Sequence, residues 1–513
     1  MSTTTDTTTS LTDARPDPGP APAPPSILGP GTLLGERPAM RIGDRWVTTD
    51  ETRDVENPAT GEVFTAVPEA GEEHVDEVLR TAQAAQGAWA RRTLGERAEV
   101  IGAVIREVDR HAEELARIVV AEQGKTITEA RGEIGGVKAF FDFAFAQRYR
   151  QVGELVAPAQ REQQLLVREE PYGVVVAIIP WNFPAAIFAR KVGPALMAGN
   201  AIVLKPSEVT PLAPLALARV CELAGVPAGL VNVVTGEGRT VGKALVEHPV
   251  TSLVTVTGST RAGREILAQA ADKIIPVSLE LGGKAPLVVF ADADVELAAR
   301  KAVEARVWNC GQVCICNERT YVHRSVHDAF VARVVELASQ VQVGDPLDEA
   351  SQMGPKVSGP EWEKVKGFVD RAVEQGADVV LGGGRPEGGQ YDRGHWFAPT
   401  VLTGVRNDME IVRNEVFGPV LPVVPFDDYD EVVEYANSTV YGLTAYVFTR
   451  DVRTAMRATD DLEFGEVYVN AIGPEQVQGF HTGWKLSGLG GDDGQHGFER
   501  YLRRKTVYLS YGE

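Results

Sequence analysis

Two hydrophobic rhythms alternate along the chain. Between Thr93 and Gly124, Ile101, Val104, Ile105, Val108, Leu115, Ile118 and Val119 recur three, four or seven residues apart. That spacing puts them on one face and predicts a helix packed on a core. Thr93 with Glu96 three residues on is a capping-box pattern that predicts its start, and Gly124 predicts its end. Between residues 173 and 290 the rhythm shortens. Apolar runs at 173–179, 201–204, 230–234, 253–256 and 277–281 are separated by helical patterns. Strands alternating with helices predict a mostly parallel, doubly wound sheet, which binds ligands at the carboxyl ends of its strands. A second alternating region runs from Lys284 to about residue 485, with helices expected over 326–341 and 361–374. Residues 501–511 alternate like a strand.

Composition narrows the picture. A chain of 513 residues with 44% apolar and 24% charged residues is an ordinary globular protein of two or three domains. The formal charge of -20 argues against a nucleic-acid partner, whose phosphates would repel it. No apolar run approaches a membrane span. The N-terminus lacks a basic region followed by an apolar core, so no signal peptide is expected. Residues 1–35 are rich in Thr, Pro, Ala and Ser, too poor in apolar surface to offset ordering, and predict a disordered tail.

Three of the four cysteines crowd into Asn309-Cys310-Gly311-Gln312-Val313-Cys314-Ile315-Cys316. They do not form a disulfide framework, and a reducing cytoplasm suits them. The spacing lacks a fourth ligand, since Cys221 is distant, so no metal site is expected. A thiol here is either a small buried apolar group or, on a glycine-broken helix end, a nucleophile.

Two further stretches bear on that choice. Pro180-Trp181-Asn182-Phe183-Pro184 follows one predicted strand, and Leu279-Glu280-Leu281-Gly282-Gly283-Lys284 ends another. Asn182, Glu280 and Cys314, in these motifs and in this order, resemble the three signature motifs of the NAD(P)-dependent aldehyde dehydrogenase superfamily. The resemblance spans residues 40–513.

The resemblance implies an α/β aldehyde dehydrogenase-like fold of two doubly wound parallel-sheet domains plus a small β oligomerisation element. An NAD-binding domain would comprise 36–149 and 172–283, a catalytic domain 284–485, and the oligomerisation element 150–171 with 486–513, giving a homodimer or homotetramer. It implies that Cys314 attacks an aldehyde, that Asn182 and the Cys314 backbone N–H stabilise the oxyanion, and that Glu280 activates water. Glu280 points to hydrolysis, because members that pass the acyl group to coenzyme A characteristically lack this base.

The Gly-x-Gly-x-x-Gly fingerprint is missing: Gly236, Gly238 and Gly242 are spaced one residue too long. The resemblance instead implies that Thr257, Gly258 and Ser259 meet the pyrophosphate and nicotinamide. Ile179, Pro180, Trp181, Gly238, Leu281 and Gly282 would line the cofactor, and Lys205, Ser207 and Glu208 would bind the adenosine ribose. Glu415 would hold the nicotinamide ribose and Phe417 pack on the ring. A carboxylate at Glu208 accepts ribose hydroxyls but repels a 2'-phosphate, which predicts NAD over NADP.

Asn309-Cys310-Gly311-Gln312-Val313-Cys314, the run 475–484 and Gly494-Gln495-His496-Gly497 together resemble the lactaldehyde and glycolaldehyde dehydrogenase subgroup, implying a small hydroxyaldehyde whose hydroxyl meets Glu475 and His481. Ile315, an apolar neighbour of Cys314, would favour a longer aliphatic or aromatic aldehyde if it faced the pocket. Succinate semialdehyde would need a cationic clamp, for which Arg190 and Arg306 are candidates. Two other readings stay open on sequence: a cysteine hydrolase without nicotinamide, and a non-catalytic NAD-binding protein.

Overall fold

The run Val174–Ile178 is apolar because it lies mid-sheet with both faces covered; Val174 to Ala177 are buried. In the computed structural model, which describes residues 26–512, it is the third of five parallel strands. Across the sheet these are Val231–Val233, Ala201–Lys205, Val174–Ile178, Thr251–Thr257 and Val277–Glu280. Met40–Ile42 and Arg45–Val47 add an antiparallel edge. Gly488–Leu489 closes the other edge against Val277–Glu280.

A second sheet runs Asp378–Leu381, Thr400–Thr403, Val420–Phe426, Asn317–His323, Ala285–Val289, Thr444–Phe448 and Glu466–Val469; all pairs but the first are parallel. Glu154–Val156, Gln163–Pro171 and Leu502–Ser510 form a separate antiparallel sheet. The α/β architecture with two parallel sheets is thus as the sequence predicts.

Three expectations change. Residues 1–25 of the expected tail lie outside the described residues, but 26–35 pack: Leu33 and Leu34 are buried, and the Leu33 N–H donates to Glu114 at 2.6 Å. Ile27, Leu28, Leu33 and Leu34 supply the apolar surface that packs this part of the segment on the core. The helix expected over 93–124 is two, Leu94–Arg110 and Ala112–Gln123, broken at His111 (φ −107°, ψ 13°). The break turns Glu114 toward Leu33 while both halves keep their apolar faces inward. Thr93 and Glu96 make the reciprocal capping box. Finally, Gly488–Leu489 lies on the first sheet and not in the three-stranded element, because its backbone completes the open edge beside Glu280.

Candidate active site

The cysteine loop begins where the helix Val295–Val307 stops. Asn309 (φ 47°), Cys310 (φ 55°) and Gly311 (φ 68°) are all left-handed, which is costly for the two that carry side chains. Three contacts hold them there. Glu129 accepts the Asn309 N–H at 2.6 Å, the Gln312 amide donates to the Asn309 carbonyl at 2.9 Å, and Gln312 Oε1 accepts the Val357 N–H at 2.9 Å. Gly311 is required twice over, since a Cβ there would sit 2.3 Å from the Gly418 carbonyl. This tight reversal brings out Cys314, half-buried, while Cys221, Cys310 and Cys316 are buried.

Asn182 is locked against the loop. Its Nδ2 donates to the Gln312 carbonyl at 2.9 Å. Its own carbonyl accepts from Asn309 Nδ2 at 3.0 Å and from Lys125 Nζ at 2.8 Å. Lys125 also pairs with Glu133 at 2.6 Å and sits over the Phe183 ring, 3.7 Å from its centre. Glu133 in turn accepts the Ala185 and Ala186 N–H groups that open the next helix.

Glu280 ends its strand 2% exposed, and neither carboxylate oxygen has a hydrogen-bond partner. Burial pushes its carboxyl up to about 8, with His481 pulling the other way. His481 Nε2 stands 3.6 Å from Glu280, and its Nδ1 is 3.0 Å from Glu466. The Cys314 thiol lies near the same ring. Burial raises that thiol and His481 draws it back down. Glu475 turns onto Arg190, which also pairs with Asp493 at 2.8 Å. Burial would raise Glu475, but Arg190 and His481 outweigh it and hold it at about 2. Ile315 is 3% exposed, packs among Val313, Cys316 and Leu443, and borders a cleft of about 590 Å³ with Trp308, Tyr446, Ile472 and Pro474.

The residues expected to meet the cofactor lie at and beyond the carboxyl ends of the first sheet's strands. Ile179 donates its N–H to the Lys205 carbonyl at 3.1 Å, which joins the two strand ends, and Pro180 and Trp181 continue from it. Glu208 accepts from Lys205 Nζ at 3.2 Å and the Gly238 N–H at 2.6 Å, while Ser207 caps the Val209 N–H. Thr257 ends its strand with a buried hydroxyl that has no partner, Gly258 donates to the Glu280 carbonyl, and Ser259 caps the helix Thr260–Ala271. Leu281 donates its N–H to the Ser487 carbonyl, and the Gly282 carbonyl accepts the Ser487 hydroxyl. From the second sheet come Glu415, which accepts the Gly283 N–H at 2.8 Å, and Phe417, left-handed at φ 59° and edge-on to Trp181 at 5.3 Å.

The profile of the Aldehyde dehydrogenase family matches residues 46–507. The chain belongs to this family. It is 60% identical over 481 residues to a 3,6-anhydro-alpha-L-galactose dehydrogenase of Streptomyces coelicolor, covering 93% of this chain and 98% of that one. It is 41% identical to a lactaldehyde dehydrogenase of Escherichia coli over 91% of this chain and 96% of that one. A solved 3,6-anhydro-L-galactose dehydrogenase in complex with NAP superposes with a TM-score of 0.90 at 45% identity, covering 92% of this chain and 99% of that one.

Within this aldehyde dehydrogenase the two arginines considered as substrate clamps are already occupied. Arg190 is held by Glu475 and Asp493. Arg306 pairs with Glu318 at 2.8 Å, and Lys284 pairs with the same carboxylate at 2.6 Å. Glu318 also accepts the Val416 and Phe417 N–H groups, at 2.9 and 3.0 Å. Lys284 is therefore a buried structural cation and not a strand-end charge. Sequence reasoning missed Glu466, Glu129 and Lys125, which support the site from distant segments outside any motif, and gave no role to Gln312, which lies inside the cysteine motif.

Proposed function

We propose that this enzyme oxidises a 2-hydroxyaldehyde to its carboxylic acid through a thioester on Cys314. The observation that carries the reading is the convergence of a half-buried cysteine, a hydrogen-bond-locked asparagine and a buried glutamate without a hydrogen bond where the two sheets meet. The Cys314 thiolate adds to the aldehyde carbon, and the Asn182 side-chain N–H with the Cys314 backbone N–H stabilises the oxyanion. After hydride leaves that carbon, Glu280 takes a proton from water, which attacks the thioester and frees the acid and the thiolate.

The strand ends of the first sheet suit a nicotinamide dinucleotide. The buried Thr257 hydroxyl lacks a partner, and Glu208 presents an acceptor beside Lys205. Lys205, Ser207 and Glu208 would hold the adenosine ribose. Gly238, Thr257, Gly258 and Ser259 would flank the pyrophosphate. Ile179, Pro180, Trp181, Leu281, Gly282, Glu415 and Phe417 would line the nicotinamide end. When bound, the dinucleotide supplies the hydride acceptor. Glu208 favours NAD, because a 2'-phosphate would meet a carboxylate.

For the substrate, the 60% identical relative names 3,6-anhydro-alpha-L-galactose and the 41% identical relative names lactaldehyde. Both are aldehydes with a hydroxyl on the next carbon. His481 and Glu475 give the region around Cys314 a polar side suited to such a hydroxyl, while Ile315 packs in an apolar cluster and lines the neighbouring cleft. Succinate semialdehyde is disfavoured because the charges of Arg190 and Arg306 are already balanced by Glu475, Asp493 and Glu318. Exposed Leu155, Tyr508 and Leu509 on the three-stranded sheet support assembly as a homodimer or homotetramer, checked by light scattering. No helix of the described residues is long and apolar enough to cross a membrane, and we assign the enzyme to the cytoplasm, which fractionation tests.

The test is to trap the intermediate. Glu280→Gln mixed with NAD and 3,6-anhydro-L-galactose, then digested, should yield the Cys314 peptide carrying the substrate mass less two hydrogens. An unmodified Cys314 peptide after NADH has formed contradicts the thioester.

A further inference from the structure

Lys125 is a buried cation that the thioester chemistry does not use. It lies just before Thr126, the cap of the helix Ile127–Ala146. Its ammonium meets three groups. Glu133, on that helix, accepts from it at 2.6 Å, the Asn182 backbone carbonyl accepts at 2.8 Å, and the Phe183 ring lies beneath it, 3.7 Å to the centre. Glu133 is fixed in turn, because its other oxygen accepts the Ala185 and Ala186 N–H groups at 2.8 and 3.1 Å. Lys125 and Glu133 thus grip both sides of the turn that carries Asn182.

That turn needs gripping. Asn182 lies after the strand Val174–Ile178 and before the helix Pro184–Ala198, so neither element sets its backbone. A carboxamide has two N–H bonds. One on Asn182 goes to the Gln312 carbonyl at 2.9 Å, and the direction of the other follows the backbone that Lys125 holds. The second hold on the Asn182 carbonyl is Asn309 Nδ2, at 3.0 Å. Asn309 is itself left-handed, and Glu129 keeps it in place. Lys125 is the hold that comes from outside the strained loop.

We propose that Lys125, set by Glu133, is a positioning residue that aims the Asn182 side chain at the developing oxyanion. The proposal rests on the oxyanion role given to Asn182 above. Lys125 acts through the main chain and is assigned no contact with substrate. Its effect belongs to the transition state, because a misdirected donor weakens the oxyanion and leaves ground-state binding alone. The loss should be smaller than the hundredfold to thousandfold expected on removing the donor outright, since Asn309 still holds the turn.

The test is a mutant cycle on the single-turnover rate of NADH formation with NAD and 3,6-anhydro-L-galactose. Lys125→Met leaves Glu133 buried without its cation. Lys125→Met/Glu133→Gln removes both charges and carries the test should the single variant not fold. Either should slow NADH formation by about tenfold or more with KM within about twofold. Alkylation of Cys314 by iodoacetamide, which forms no oxyanion, should keep its wild-type rate. In an Asn182→Ala background the Lys125 penalty should vanish, because no side-chain donor is left to aim. A wild-type rate in the Lys125 variants, a penalty that persists in full without the Asn182 side chain, or alkylation that slows in step with NADH formation overturns the proposal. Failure of the oxyanion reading is separately visible, since Asn182→Ala alone would then oxidise aldehyde at the wild-type rate.

Discussion

Glu280 lies 3.6 Å from Nε2 of His481, and among the described residues its carboxylate has no hydrogen-bond partner. A buried carboxyl without donors holds its proton to higher pH, and burial places Glu280 at about 8. A base works only when ionised. Deacylation should therefore climb with pH toward and through 8, and flatten above it. Stopped-flow thioester hydrolysis between pH 6 and 10 checks this; a rate already level at pH 6 contradicts the perturbed Glu280.

Replacing Glu280 by Gln removes the base while keeping the shape. Wild type should turn over steadily. Glu280→Gln should release a burst of about one NADH per site and then nearly stop. Unchanged steady-state turnover would remove Glu280 from the hydrolytic step.

Cys314→Ala should lose aldehyde oxidation while retaining dinucleotide affinity, since the residues assigned to the adenosine ribose, Lys205, Ser207 and Glu208, are left intact. Calorimetric titration with NAD separates the two effects. Retained turnover would sink the nucleophile assignment.

Glu208 accepts from Lys205 and the Gly238 N–H, and these leave its second oxygen for a ribose hydroxyl. Glu208→Ala should raise NADP use relative to NAD by about tenfold or more, as expected when one charge repulsion is lifted. An unchanged ratio of kcat/KM values counts against the contact.

Arg306, Lys284 and Glu318 form a cluster buried from solvent. Burial alone would raise Glu318, but Arg306 and Lys284 hold it well below the usual carboxylate range. Arg306→Met should cost about 3–5 kcal/mol and lower the urea midpoint. A wild-type midpoint would show that Lys284 alone balances the charge.

Much of this was legible in the sequence because strand ends announce themselves. Lys205, Thr257 and Glu280 each close an apolar run, and a parallel sheet gathers such ends along one edge. The second sheet obeys no such rule here. Cys314 precedes the strand Asn317–His323, Phe417 precedes Val420–Phe426, and Glu466 opens Glu466–Val469, so this side of the site lies at amino ends. The partners of His481 were hidden for a different reason. Glu466 and Glu280 reach it from the ends of separate strands, and no periodicity encodes that meeting. Arg190 looked available because its charge is visible in sequence and its two carboxylate partners, nearly three hundred residues on, are not. The left-handed Asn309 and Cys310 were equally hidden, because only Gly311 signals a reversal by residue type.

The most direct test of the account is NADH formation at 340 nm with NAD across 3,6-anhydro-L-galactose, lactaldehyde, glycolaldehyde, succinate semialdehyde, an aliphatic aldehyde and an aromatic aldehyde. The account predicts the highest kcat/KM among the hydroxyaldehydes, with 3,6-anhydro-L-galactose foremost. A clear preference for succinate semialdehyde or for aldehydes lacking the neighbouring hydroxyl would contradict the polar reading of His481 and Glu475.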